Sequence, residues 1–379
     1  MADDPHAPYL VHKLDVSYFS GKLEAYLRYK EVPHRAESIG RGGFEYVARH
    51  TGIAKIPAVE TADGLWLHDT TPMIQWFEVR YPAHPVLPQD PALRFLALLL
   101  EDYGDEWLWR PSMWWRWVPL ESGLSVGRNA TAEIGLPAPL RGLAARRFRR
   151  RQLDEWLWDD GMTRENEADV RAMLPREFDF LEPLFEQQPF LLGSHPSVAD
   201  YGYFASMFRH FGNDPVSAEF MRREGPGTYE WLARLWNARA SRMAAEPTWQ
   251  WPEGDHWLPL LTRIAQDYLP YLHQNARAYR DGQARFDHRG ATFTFRGTKT
   301  TNYRVWCREV LQREFAALDA DARARIEALF EPAGSLATLH EDGTIASGMD
   351  AAFQLPIEPG SRTPQKRGFF QRLGGQPRN

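Results

Sequence analysis

The sequence predicts an α+β domain of order β-α-β-α-β-β-α, then an all-α domain, then a mixed C-terminal extension of helices and a β-hairpin. Three observations carry this. Strand-like and helix-like patterns alternate over the first eighty residues. A proline-spaced string, Pro82 to Pro88, then interrupts the chain. From Asp90 to about Met243, apolar residues recur at helical spacing. The expected boundaries are 1–81, 90–245 and 246–353, with a disordered tail over 354–379, which is rich in Pro, Gly, Arg and Lys.

Tyr9 to Leu14 reads as a strand, and Ser20 to Tyr29 as a helix with Leu23, Tyr26 and Leu27 on one face. His34 to Ile39 is a second strand, entered through Pro33. Gly42-Gly43 precede a helix, Phe44 to His50. Ile56 to Glu60 and Leu65 to His68 form a hairpin about Asp63-Gly64. Asp69-Thr70-Thr71 offers capping oxygens to a helix carrying Met73, Ile74, Trp76 and Phe77. Asp90-Pro91 starts the helical domain, with Asp as cap and Pro in the first turn. Leu93, Leu96, Leu100, Trp107 and Leu108 mark an apolar face, and Pro111 is expected to break or bend that helix. Glu121 to Leu136 reads as loop. Leu140 to Trp158, Ser197 to Phe211 and Tyr229 to Met243 read as helices. In the extension, Trp257 to Arg280 reads as helical despite Pro259 and Pro270. A hairpin is expected over Arg285 to Gly297, then helices over Tyr303 to Leu318 and Asp321 to Phe330.

Composition excludes several classes. With 45 Lys and Arg against 50 Asp and Glu, the net charge is −5, and 43% of residues are hydrophobic. A disordered or nucleic-acid-coating chain is therefore not expected. The single cysteine, Cys307, excludes an internal disulfide framework, a cysteine-based zinc site and a CxxC dithiol. The start lacks a basic region followed by an apolar run, and no stretch suits a membrane span, so a cytoplasmic protein is expected. Tryptophan is abundant at 15 residues, seven of them between Trp107 and Trp158.

The string Lys55-Ile56-Pro57-Ala58-Val59, the Asp63-Gly64 turn, and Asp69-Thr70 before a helix resemble the glutathione-binding, thioredoxin-like half of the glutathione S-transferases. A second string, Phe190 to Tyr201 with Ser197-x-x-Asp200, resembles that family's helical-domain signature, where it serves folding as a capping-box variant. The resemblance covers roughly residues 9 to 245. It implies a cis bond before Pro57, presenting the Ile56 backbone to the cysteinyl unit of glutathione as a strand edge. It also implies that Asp69 and Thr70 hold the γ-glutamyl end, with Lys55 and Ser20 nearby. Backbone N–H groups and a hydroxyl suit the carboxylate, and Asp suits the ammonium. Simple helix capping is the alternative role for Asp69-Thr70.

In the same resemblance the reactive loop is Ser17-Tyr18-Phe19-Ser20, followed by Lys22. Dithiol members of the fold place C-x-x-C here. Members with Ser or Tyr instead donate a hydroxyl hydrogen bond to the glutathione thiolate. Lowering a thiol pKa from ~8.5 to ~7 or below raises the ionised nucleophile. Two units are worth about 2.7 kcal/mol. Ser17 is the leading candidate and Tyr18 the second, while Ser20 also reads as the N-cap of the first helix. The loop departs from the usual Ser-Pro and Tyr-type patterns. Because it lacks cysteine, thiol-transferase chemistry is disfavoured, and Cys307 is read as an inert thiol.

The resemblance thus implies a detoxification-type glutathione transferase with glutathione as co-substrate and no metal. The partner would be a hydrophobic electrophile, aromatic ones included, undergoing conjugation, dehalogenation or ether cleavage. Trp107, Met113, Trp114 and Trp117 are the expected acceptor-pocket residues. A homodimer is implied, with no nucleic acid and no membrane span. The alternative is a non-catalytic binding or assembly protein on the same fold. Gly123-Leu-Ser125-Val-Gly127 matches a hydrolase nucleophile elbow but lacks the strand that must precede it. The Arg146 to Arg151 run reads as a solvated helix face balanced by Asp154, Glu155, Asp159 and Asp160.

Overall fold

The computed structural model describes residues 4–340 and 345–363. In its first domain β1 (Tyr9–Lys13), α1 (Tyr18–Tyr29), β2 (His34–Ser38), α2 (Gly43–Thr51), β3 (Ala58–Glu60), β4 (Trp66–His68) and α3 (Thr70–Arg80) follow the expected order. The strands align as β2-β1-β3-β4. β1 runs parallel to β2 and antiparallel to β3, and β3 pairs antiparallel with β4, which is the thioredoxin-like topology. Tyr9, Val11, Val59 and Leu67 of the sheet share a core with Leu23, Tyr26, Met73, Ile74 and Phe77 of α1 and α3.

Ser17 rather than Ser20 is the N-cap of α1: its Oγ accepts from the Ser20 N–H at 3.4 Å, and Ser20 lies fully buried within the helix. A residue in extended backbone with a short hydroxyl is what an N-cap requires.

The helical domain begins at α4 (Pro91–Asp102), capped by Asp90, whose Oδ1 accepts from the Leu93 N–H at 2.8 Å. A π-helical segment, Tyr103–Trp107, leads into α5 (Trp109–Trp117). Pro111 therefore falls in the first turn of α5, where a missing N–H costs nothing. The stretch expected to be loop is instead α6 (Leu120–Glu133), followed by α7 (Ala138–Gln152). Gly123 and Gly127 explain the correction. Cβ atoms there would come within 2.6 Å of Arg149 and 2.9 Å of Ala145, so the glycines let α7 pack closely on α6. Ser125 is thus mid-helix, without the strained turn of a nucleophile elbow.

Next come α8 (Glu167–Gln187), α9 (Val198–Ser206), α10 (Pro215–Glu224) and α11 (Pro226–Asn237). At α9 the Asp200 carboxylate accepts from the N–H groups of Ser197 and Leu191, both at 2.9 Å, and from Trp231 Nε1 at 3.2 Å.

The extension shares one apolar core with this domain. It comprises α12 (Trp257–Arg263), a π-helical turn, α13 (Leu269–Arg280), the hairpin β5 (Arg285–Arg289) and β6 (Thr294–Lys299), α14 (Asn302–Ala316) and α15 (Ala320–Phe330). Helices α14 and α15 lie against α4. Of the tail expected to be disordered, residues 354–363 are ordered, and the rest lies outside the described residues. Ile357 exchanges two backbone hydrogen bonds with Trp66 on β4, at 2.9 and 2.7 Å. Its side chain joins Val47, Ala58 and Trp66 in a small core.

Candidate active site

Three segments meet at one cavity of about 260 Å³. The first domain contributes Phe19, Lys55, Ile56, Pro57, His68, Asp69 and Thr70. The helical domain contributes Asp105, Glu106, Trp109, Glu155, Trp156 and Asp160. The extension contributes Lys299, Thr301, Tyr303 and Arg304.

The Ile56–Pro57 peptide is cis, in the loop before β3. Asp69 precedes α3 with φ of 68° and makes no side-chain cap. A positive φ is uncommon outside glycine and turns the residue away from the helix it precedes. Its carboxyl is instead among the cavity-lining groups, and burial raises its pKa although Lys55 and Lys22 oppose the rise. The N-terminus of α3 and Thr70 stand beside it. Lys55, Ile56, Pro57, Asp69 and Thr70 are therefore brought together.

The reactive-loop residues are not. Tyr18 is buried, and its hydroxyl donates to the carbonyls of Gly104 (2.8 Å) and Asp105 (3.2 Å). This phenol holds the first domain to the helical domain and is not free for a thiol. Ser17 is half-buried at the cap of α1; neither it nor Ser20 lines the cavity, whereas Phe19 between them does. As an acceptor at the cap, Ser17 Oγ still carries a proton to donate.

Of the expected acceptor-pocket residues, none lines the cavity. Trp107 is 1% exposed, surrounded by Tyr268, Tyr271, His288, Phe293 and Phe295 of the extension. Met113 is buried, Trp114 Nε1 donates to Glu167 at 2.9 Å, and Trp117 packs edge-on to Phe148. The aromatic wall is instead Trp109 and Trp156, in edge contact at 6.2 Å, with Trp156 43% exposed. A larger cleft of about 650 Å³ shares Glu155 with this cavity and runs between the β2–α2 loop and α6–α7. Its floor includes Leu14, Phe44, Ile134 and Phe148, and Arg41, Arg147, Arg150 and Arg151 also line it.

Charge in the site is arranged in two groups. Arg304 binds Asp160 through both guanidinium nitrogens, at 2.6 and 3.2 Å, and Lys299 binds Asp159 at 2.5 Å. Behind the cavity the Lys22 ammonium is fully buried between Glu101, at 2.6 Å, and Asp105 Oδ2. Burial works against that charge, but the two carboxylates more than offset it, so its pKa is raised. His68 closes one end under the tail. Arg362 donates to its Nε2 at 2.8 Å, which requires a neutral ring; burial first and the guanidinium second lower its pKa to about 4. Cys307 is buried on α14, where burial raises its thiol pKa, so it is not a thiolate at neutral pH. Among the described residues no helix is long and apolar enough to cross a membrane.

Sequence reasoning missed the extension's share, Lys299 to Arg304, because nothing in that string marks a site. Residues 11–85 match the family described as glutathione S-transferase, N-terminal domain. No curated protein matches the chain. Among solved structures it is similar to a glutathione S-transferase from Rhodospirillum rubrum, at 17% identity over 67% of this chain and 92% of that one, TM-score 0.40. It is also similar to the beta-etherase LigF from Sphingobium, at 18% identity, 60% and 94% coverage, TM-score 0.44. A third is a glutathione S-transferase from Methylobacterium radiotolerans in complex with glutathione sulfonate, at 17% identity, 65% and 99% coverage, TM-score 0.37. Strand order β2-β1-β3-β4, the cis peptide before Pro57 and the match over residues 11–85 identify the first domain as a glutathione S-transferase N-terminal domain of thioredoxin-like fold.

Proposed function

We propose that the chain binds glutathione in the 260 Å³ cavity and uses its thiol against a hydrophobic electrophile. The observation that carries this reading is the convergence of Ile56, cis-Pro57, Asp69, Thr70 and the α3 N-terminus on one cavity. The Ile56 backbone pairs with the cysteinyl unit, and the α3 N-terminus with Thr70 receives the γ-glutamyl carboxylate. Ser17, at the start of α1, donates its remaining proton to the thiolate, and the helix N-terminus favours the negative sulfur. Trp109 and Trp156 form the near wall for the electrophile, and the adjoining cleft gives room for a bulky one. A homodimer in this reading uses a surface other than the face of α4 that α14 and α15 cover.

Isothermal calorimetry with glutathione tests the binding, and absence of heat at millimolar ligand would sink the reading. The thiolate absorbance of the complex, in wild type and Ser17→Ala, tests the activation. A second reading, binding without catalysis, is favoured by one observation: the Ser17 hydroxyl caps α1 and does not line the cavity. An unchanged thiolate band in Ser17→Ala, with no turnover of an electrophile panel, selects it.

A further inference from the structure

We infer that the C-terminal tail beyond Thr363 docks its Phe369-Phe370 pair into the 650 Å³ apolar cleft between the β2–α2 loop and α6–α7 of the same chain. The docking stands independently of the glutathione reading. Under that reading it also sets how much room an electrophile finds beside the cavity.

The cleft presents Leu14, Phe44, Ile134, Leu136 and Phe148. An apolar hollow of this kind is unfavourable in water and suits an apolar occupant. The path of the chain brings the tail to it. Arg362 donates to His68 Nε2 and to the carbonyls of Ala351, Ala352 and Gln354, at distances between 2.6 and 3.1 Å. Its Cβ lies 2.9 Å from where a Cβ on Gly52 would sit, and the Thr363 carbonyl oxygen lies 3.7 Å from the same point. Gly52 is the C-cap of α2, so the described chain ends against the C-terminal end of that helix. The N-terminal end of the same helix, with Gly42, Phe44 and Glu45, forms one lip of the cleft. Helix α2 has 9 residues and so spans about 14 Å. Phe370 is seven residues beyond Thr363, and extended chain covers roughly 23–25 Å over that stretch. The pair therefore reaches from one end of α2 to the other with slack.

Charge both supports this path and limits it. Glu45 Oε2 is buried at the lip and has no hydrogen-bond partner among the described residues. Lys366 and Arg367 come just before the phenylalanines and suit that oxygen. On the far wall Arg150 pairs with Asp154 at 3.6 Å and Arg151 with Glu155 at 3.0 Å, so these cations are already offset. Arg41 and Arg147 line the cleft with the tail's own sign. The phenyl rings, not the tail's cations, therefore supply the grip. Tethering adds to it. A short linker holds a segment at an effective concentration on the order of millimolar, which populates even weak docking in cis.

Two measurements on the full chain test this. With p-benzoylphenylalanine in place of Phe369, irradiation is expected to cross-link the tail to peptides covering 40–45, 130–136 or 144–155 of the same chain. The apolar dye anilinonaphthalene sulfonate is expected to bind Phe369→Ser/Phe370→Ser about 5-fold or more tightly than wild type, and a synthetic peptide of residues 364–379 should compete the dye off the variant. Cross-links to other segments overturn the docking, and cross-links found only between chains give the cleft to a second copy instead. Equal dye binding by the two proteins, or a gain that the peptide does not reverse, also overturns it. None of these outcomes bears on whether glutathione binds.

Discussion

Replacing Lys22 by Met probes the joint between the first and second domains. The Lys22 side chain is 0% exposed, and its partners Glu101 and Asp105 are 3% and 8% exposed. Thr71 is a third partner: its Oγ1 accepts from Lys22 at 3.3 Å and donates to Glu101 at 2.7 Å. Met preserves the apolar stem but leaves two buried carboxylates without their cation. Removing one partner of a buried ion pair costs about 3–5 kcal/mol. Against a typical total of about 5–15 kcal/mol this is a large share. With a urea m-value of about 3 kcal/mol/M, the midpoint moves down by about 1 to 1.7 M. The sign of the pH effect follows from linkage. Without Lys22 the folded carboxyls hold their protons more tightly than the unfolded ones, so the variant loses stability as pH rises. The deficit is expected to be larger at pH 8 than at pH 5. Urea melts followed by tryptophan fluorescence read both. A midpoint shift under about 0.3 M, or an equal deficit at the two pH values, would refute the reasoning.

Three further outcomes are expected. Trp107→Ala should cost about 3–5 kcal/mol in a thermal or urea melt, because it empties a packed core site. Trp156→Ala should leave stability within about 0.5 kcal/mol while raising KM for aromatic electrophiles; the reverse pattern would return Trp107 to the pocket. His68, with a folded pKa of about 4 against the ordinary histidine value of 6.5, contributes stability that is lost as pH falls from about 6.5 to 4, since the unfolded ring binds the proton first. In Arg362→Ala its pKa, followed by NMR, should move up toward 6.5, and an unmoved titration would show that the tail does not govern it.

The first domain was legible because its signals are local. Alternating apolar residues, the Asp63-Gly64 turn and Pro57 each constrain the backbone where they stand. The helical domain was legible in kind but not at Gly123 and Gly127, where tertiary packing against α7 overrides low helix propensity. The tryptophan positions failed for a geometric reason. Residues two apart on a helix point to roughly opposite sides, so Trp107 in the core and Trp109 at the cavity are separated by a rotation that composition cannot register. Tyr18 was legible as a hydroxyl near the site but not as one already donating to Gly104, since that carbonyl belongs to a π-helical segment 86 residues away. The ordered tail escaped notice because a short apolar pair, Leu355 and Ile357, docks it within a polar, proline-containing stretch.

The wall built by Thr301, Tyr303 and Arg304 has a consequence for synthesis. The ribosome releases the first domain early, with Ile56, Asp69 and Thr70 able to take their places in the sheet. Once Asp160 is made, the stretch to Arg304 follows over about 7–30 s at roughly 5–20 residues per second. Throughout that interval a nascent chain carries two sides of its cavity and lacks the third. Ile357 and Arg362 arrive later still to cover the β4 edge, so the half-made protein also exposes an open strand. In the proposed reading the ligand site is complete only once Arg304 has been made, and products truncated before it would retain a recognisable fold but an open, unfinished site.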